Sequence, residues 1–160
     1  MSKSEQKYRA LLDNAADAVL IAHKDGYIID TNPKARELLG YSKKEFWGLH
    51  FTKLYLPKDS QRAKEAFERI IHQKRSRISD AHVLKKDGQI IDADINGSCF
   101  KAGDDILVTG IFRDMTEQKQ ILDRLKTSQK DLEARIAERT MELMECNITL
   151  KFLLSHQEHE

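Results

Sequence analysis

No Gly or Pro occurs in the 44 residues from Glu117 to Glu160, while all 7 Gly and both Pro lie before them. These two residues break helices most readily, so the stretch is predicted to be one uninterrupted helix. The only Trp, all 4 Tyr and five of the 6 Phe also precede it. Aromatic and turn-forming residues are what a packed domain needs. The chain therefore divides into a short amphipathic helix over 1–16, a globular domain over 17–115 and a long helix over 116–160.

Within the long helix the apolar residues step by three and four. One heptad position holds Leu122, Gln129, Ile136, Leu143 and Leu150, and the other holds Leu125, Leu132, Arg139, Cys146 and Leu153. This is the seam of a coiled coil, about 65 Å long at the α-helical rise. A single helix cannot bury such a seam, so a partner helix is required, most simply in a parallel homodimer. Leu and Ile at both seam positions permit a trimer as well. Gln129 and Arg139 interrupt the seam and either set its register or, for Arg139, snorkel outward. The pattern stops mid-heptad at Glu160, as expected of a fragment.

Charge and length exclude several classes. Lys and Arg number 27 against 26 Asp and Glu, so the basic excess that neutralises phosphates is missing. No apolar run approaches the roughly 20 residues of a membrane span, and the first residues lack the apolar core of a signal peptide. Cytoplasmic location is expected, with Cys99 and Cys146 reduced and too isolated for a disulfide framework or a zinc knuckle.

The first part reads as alternating short elements. Tyr8, Leu11, Leu12 and Ala15 share one helical face. Ala18 to Ile21 is a strand, Lys24-Asp25-Gly26 a hairpin turn, and Tyr27 to Asp30 the return strand. Asn32 and Pro33 open a helix that stops at Gly40, a short helical piece covers Lys43 to Trp47, and Ser60 is the expected cap of a longer helix. Three strands follow: Arg77 to Leu84, Gln89 to Phe100 and Ile106 to Phe112. In the second, Ile91, Ala93, Ile95, Gly97 and Cys99 share one face, while Asp92, Asp94, Asn96 and Ser98 share the other. The order gives an α+β fold, a five-stranded antiparallel sheet with helices on one face.

Over residues 5–116 the sequence resembles the PAS domains, small sensory modules of bacterial signalling proteins. The motifs that carry the resemblance are Asp25-Gly26 with Asp30-Thr31-Asn32-Pro33, Leu38 to Ser42 with Glu45, and Lys86-Asp87-Gly88. The last is Phe112-Arg113-Asp114-Met115-Thr116-Glu117, similar to the Asp-Ile-Thr signature joining a PAS sheet to its output helix. The resemblance implies a PAS fold and a signal junction at Asp114 and Thr116. Thr116 is also suited to cap the long helix, and Glu117 to its positive end. Glu138 to Leu143 and Asn147 to Lys151 resemble linkers that join PAS domains to LuxR-type DNA-binding domains. A sensory and dimerisation module of a transcriptional regulator is therefore expected, contacting DNA only through an output domain that this chain lacks. The alternatives are the sensor part of a histidine kinase and a ligand-free dimerisation scaffold.

Candidate chemistry is sparse. Ser155-His156 with Glu158 resembles a histidine-kinase phosphoacceptor box, but the downstream Arg-Thr-Pro is missing, and a solvated helix face is the preferred reading. His156 and His159 lack a third ligand for a metal site. His72 stands where haem-binding PAS domains place their iron ligand, yet Gln73-Lys74-Arg75 beside it imply exposure. Phe46 to Phe51 has no Cys for a flavin adduct, and Trp47 is expected in the core or at its rim. Cys99 and Cys146 read as buried small hydrophobes, the latter able to cross-link a dimer. Asp92 and Asp94 read as a solvated row. No catalytic constellation or phosphate loop appears, so the chain is not expected to be an enzyme.

Small residues on the inward face leave room for a pocket. Ala93, Ile95 and Gly97 would form one wall, with Val19, Ile21, Phe67, Ile71, Val83 and Ile111 around it. Such a space suits a small apolar or amphipathic ligand; a fully packed core is the alternative.

Overall fold

The computed structural model describes residues 1–157 and divides into two compact units, Met1–Thr116 and Glu117–Glu160. The first unit opens with α1 (Lys3–Asp13), where Ser2 and Glu5 form a capping box. β1 (Ala18–His23) and β2 (Ile28–Thr31) follow as a hairpin. Then come α2 (Pro33–Leu39), α3 (Lys43–Phe46), a 3₁₀ turn (Phe51–Leu54) and α4 (Pro57–Gln73). β3 (Arg75–Leu84), β4 (Ile90–Ala102) and β5 (Asp105–Asp114) complete one antiparallel sheet in the order β2-β1-β5-β4-β3. The α+β class and the five-stranded antiparallel sheet stand as the sequence implied.

Asn32 explains much of the first half. Fully buried, its Oδ1 accepts from the amides of Val19 and Ala35, each at 2.9 Å, and its Nδ2 donates to Asp17 O at 2.9 Å. One side chain thus caps α2 and pins its entry to β1. Pro33 occupies the first turn, where its missing amide costs nothing, and Gly40 ends the helix at φ 82°.

α4 starts earlier than expected. Pro57 sits in its first turn and Leu56 precedes it without a side-chain cap, so Ser60 lies inside the helix instead of capping it. The ring's preset φ nucleates the turn, three residues ahead of the serine. Trp47 is also corrected: it is 70% exposed, because one-turn α3 spends its inward position on Phe46. On α1, Leu12 is buried but Leu11 is exposed.

The main core lies between the sheet and α2–α4, with Leu39, Phe46, Leu54 and Val83 fully enclosed. A smaller cluster of Leu12, Val19 and Ile21, backed by Ala15, Ile29 and Leu107, lies on the reverse face under α1. β1 is therefore buried on both faces.

In β3 the register shifts between Ile78 and Ala81, and Asp80 adopts φ 55°. This bulge resets the alternation so that Ile78, Ala81 and Val83 all face inward.

The second unit is one helix, α5 (Thr116–Gln157), without a buried residue. Leu122, Leu125, Leu132, Ile136, Leu143, Leu150 and Leu153 are all more than half exposed. Cys146 is exposed as well. Gln129 Nε2 donates to Glu133 Oε1 one turn on, within the helix, at 3.3 Å.

Candidate functional site: an apolar cavity and the strand that leaves it

Between the sheet and the helices lies a cavity of about 60 Å³. β1 contributes Leu20 and Ala22 to its wall, and β5 contributes Val108, Gly110 and Phe112. Phe51, Leu54 and Tyr55 close it from the 3₁₀ turn, while Ala63, Ala66, Phe67 and Ile70 close it from α4. Phe51 and Phe67 stack, centroids 4.4 Å apart and planes 10° from parallel. Small residues on α4 and Gly110 on β5 create the space. The stacked rings and the long aliphatic side chains keep it apolar.

Of the expected lining residues, Phe67 is in the wall. Val83, Ala93 and Ile95 are buried in the same core but do not border the cavity. Gly97 is filled from the other side: a Cβ there would meet Ile70 Cδ1, so the glycine admits Ile70 to the sheet instead of leaving a void. Ile71 is half-buried outside the wall.

Val19, Ile21 and Ile111 are placed on the wrong face by the sequence. Val19 and Ile21 pack under α1, and Ile111, paired with Val19, is 37% exposed. Their neighbours Leu20, Ala22, Gly110 and Phe112 face the cavity. In a strand buried on both sides, an unbroken apolar run carries no parity signal. Leu54 and Tyr55 escaped notice because a 3₁₀ turn has no long periodicity to read.

β5 connects this cavity to α5. Phe112 lines the cavity, and Asp114, two residues on, points to the same side of the strand. Asp114 Oδ1 accepts from the Thr116 amide at 2.9 Å and from its hydroxyl at 2.6 Å. The cap assignment is thereby reversed: Asp114 supplies the acceptor, and Thr116 is the first helical residue. The Met115 amide donates to Asp92 O at 2.8 Å, tying the junction to β4. Arg113 Nη2 lies 3.0 Å from Asp17 Oδ2, and this pairing raises the Arg113 pKa.

The acidic row on β4 is not simply solvated. Arg77 donates to Asp94 Oδ2 at 2.9 Å, and His82 stands between Asp59, at 3.0 Å, and Asp92, at 3.7 Å. These pairs bind β3, β4 and α4 together. His72 is exposed at the end of α4. Cys99 is half-buried and its thiol donates to Ile70 O at 3.2 Å. His156 is exposed, its ring tilted 38° to that of Phe152 with centroids 4.3 Å apart; Glu158 and His159 lie outside the described residues. Among the described residues no group of His, Cys, Asp and Glu could hold a metal ion, and no helix is long and apolar enough to cross a membrane.

The family model of the PAS domain matches residues 16–117. This chain belongs to the PAS domain family. The crystal structure of a PAS domain from Colwellia psychrerythraea has TM-score 0.64 and 26% identity, covering 72% of this chain and 99% of that one. A domain of a sensory box sensor histidine kinase/response regulator from Geobacter sulfurreducens has TM-score 0.61 and 27% identity, covering 69% and 94%. Among curated proteins, the sensor histidine kinase TmoS of Ectopseudomonas mendocina is 24% identical over 82% of this chain. The methyl sulfide methyltransferase-associated sensor of Methanosarcina acetivorans is 27% identical over 80%. This PAS chain spans only 14% and 13% of those two relatives' lengths. It is thus a PAS sensor domain of the kind found in signal-transduction proteins, followed by a long helix.

Proposed function

We propose that the chain is a ligand-sensing and dimerising input module. A small molecule in the apolar cavity shifts β5, the Asp114–Thr116 junction passes the shift to α5, and α5 carries it to an output as one strand of a homodimeric coiled coil. The observation that carries this reading is the continuity of β5, which places Phe112 in the cavity wall and the α5 anchor two residues later. A ligand acts by binding one of two arrangements better than the other. No catalytic step belongs to the chain itself, and its site of action is the cytoplasm.

The output is proposed to be a histidine kinase, which the relatives named above favour. A LuxR-type DNA-binding output is the second reading, favoured by the linker-like residues Glu138 to Lys151.

Native mass spectrometry with analytical ultracentrifugation tests the module. A mass of two chains plus a small molecule, and a dimer constant that depends on that molecule, are expected. Asp114→Ala should remove the ligand dependence and leave the domain's thermal transition in place. A monomer at all concentrations would refute the coiled coil, and loss of folding in Asp114→Ala would reduce the junction to a structural role.

A further inference from the structure

Tyr55 supplies the only polar side chain in the cavity wall. It is 7% exposed, with its ring held near Phe51 and Phe112 at 6.5 and 6.4 Å. Unlike Tyr8, whose hydroxyl donates to Asp30, Tyr55 makes no side-chain hydrogen bond among the described residues. Burial alone raises its pKa, with no charge or hydrogen bond contributing.

Every fully enclosed side-chain polar atom among the described residues has a partner, so this oxygen must border open space. Tyr55 borders the cavity and a second cleft. The cleft formed with Asp59, Arg62 and Ala63 has no room for even a water. The cavity has room. The hydroxyl is therefore not sealed in the core: at the edge of that space it can donate to a molecule that enters.

We propose that the Tyr55 hydroxyl is the polar anchor of the cavity, donating its hydrogen to an acceptor atom on a small, uncharged, otherwise apolar ligand. The inference rests on the cavity being a ligand site, as proposed above. A charged ligand would lose its hydration against apolar walls that return nothing. A space of about 60 Å³ is two-fifths of the roughly 150 Å³ that holds benzene's six carbons, so the ligand has about three non-hydrogen atoms or fewer. Short aldehydes and ethers form the matching class.

Two probes of one shape separate the possibilities: dimethyl ether, and propane, in which a methylene group replaces the ether oxygen. Both are titrated into the whole chain and into Tyr55→Phe, following the amide resonances of Leu20, Phe67 and Gly110 by NMR. Tyr55→Phe should weaken the ether about fivefold to tenfold and leave the alkane unchanged. In the unsubstituted chain the Tyr55 Cζ resonance should move with the ether and not with the alkane, a readout independent of how the variant folds. Equal ether affinity in both proteins, as when a resident water already satisfies the hydroxyl, would overturn the anchor and leave the cavity a ligand site. If neither probe moves the lining resonances, the cavity reading fails and the anchor with it.

Discussion

The sheet domain and the long helix use the same aliphatic residues to opposite ends. In Met1–Thr116, Leu39, Leu54 and Val83 are sealed by strands and helices drawn from distant parts of one chain. In α5, Leu125, Leu132, Ile136 and Leu143 stand open to solvent. The first unit encloses its core within one chain. On the coiled-coil reading proposed above the second pairs with another helix, so concentration enters its free energy. A coiled coil built this way would respond to small changes at its root in a way that a sealed core does not.

That contrast can be broken first on the domain side. Phe46→Ala, at a fully enclosed ring, should cost about 3–5 kcal/mol in urea unfolding while the association of α5 stays unchanged in a chain that remains folded. If the cost is below about 1 kcal/mol, the core is looser than described.

On the helix side, Ile136→Asp with Leu143→Asp should weaken the proposed dimer roughly a hundredfold or more, because two charges would enter each side of its seam. Light scattering reads the mass, and the domain's thermal transition should not move. A shift in that transition would mean the two units share stability.

A smaller effect is expected at Asn32→Ala, about 2 kcal/mol, since the Val19 amide loses its partner and α2 its cap. Unfolding in denaturant measures it, and a neutral result would show that water replaces the side chain.

The smallest effect concerns pH. The Lys86 ammonium, then the Ser42 amide and hydroxyl, hold the Glu45 carboxyl below its ordinary range. A lowered folded pKa stabilises above the unfolded value and loses that contribution as pH falls through the folded value. Melting temperature should therefore fall slightly more steeply from about pH 5 to about pH 3 than in Glu45→Gln. Parallel curves would show that the fully exposed pair contributes nothing.

Local chemistry was legible where a residue type has one physical use. Asn32 and Pro33 marked the start of α2 and Gly40 its end. The alternation along β4 separated Ala93 and Ile95 from Asp92 and Asp94. Legibility failed where two structural answers fit the same residues. Ala18 to Ala22 is apolar without interruption, so which side of β1 met the cavity depended on α1 covering the reverse face. Ile111 inherited that error through its pairing with Val19. Gly97 resembled an opening, yet Ile70 from α4 fills it.

The sequence by itself determined the element order, the PAS signature, the start of α2 at Asn32 and Pro33, and the unbroken C-terminal helix with its apolar heptad pattern. All of these depend on residues within a few positions of each other, where periodicity and backbone preference act. Only the tertiary structure decided the strand order, the cavity wall and the isolation of the Tyr55 hydroxyl. Those depend on which side chains meet across the core, and packing between distant segments sets that through the space each leaves for the other.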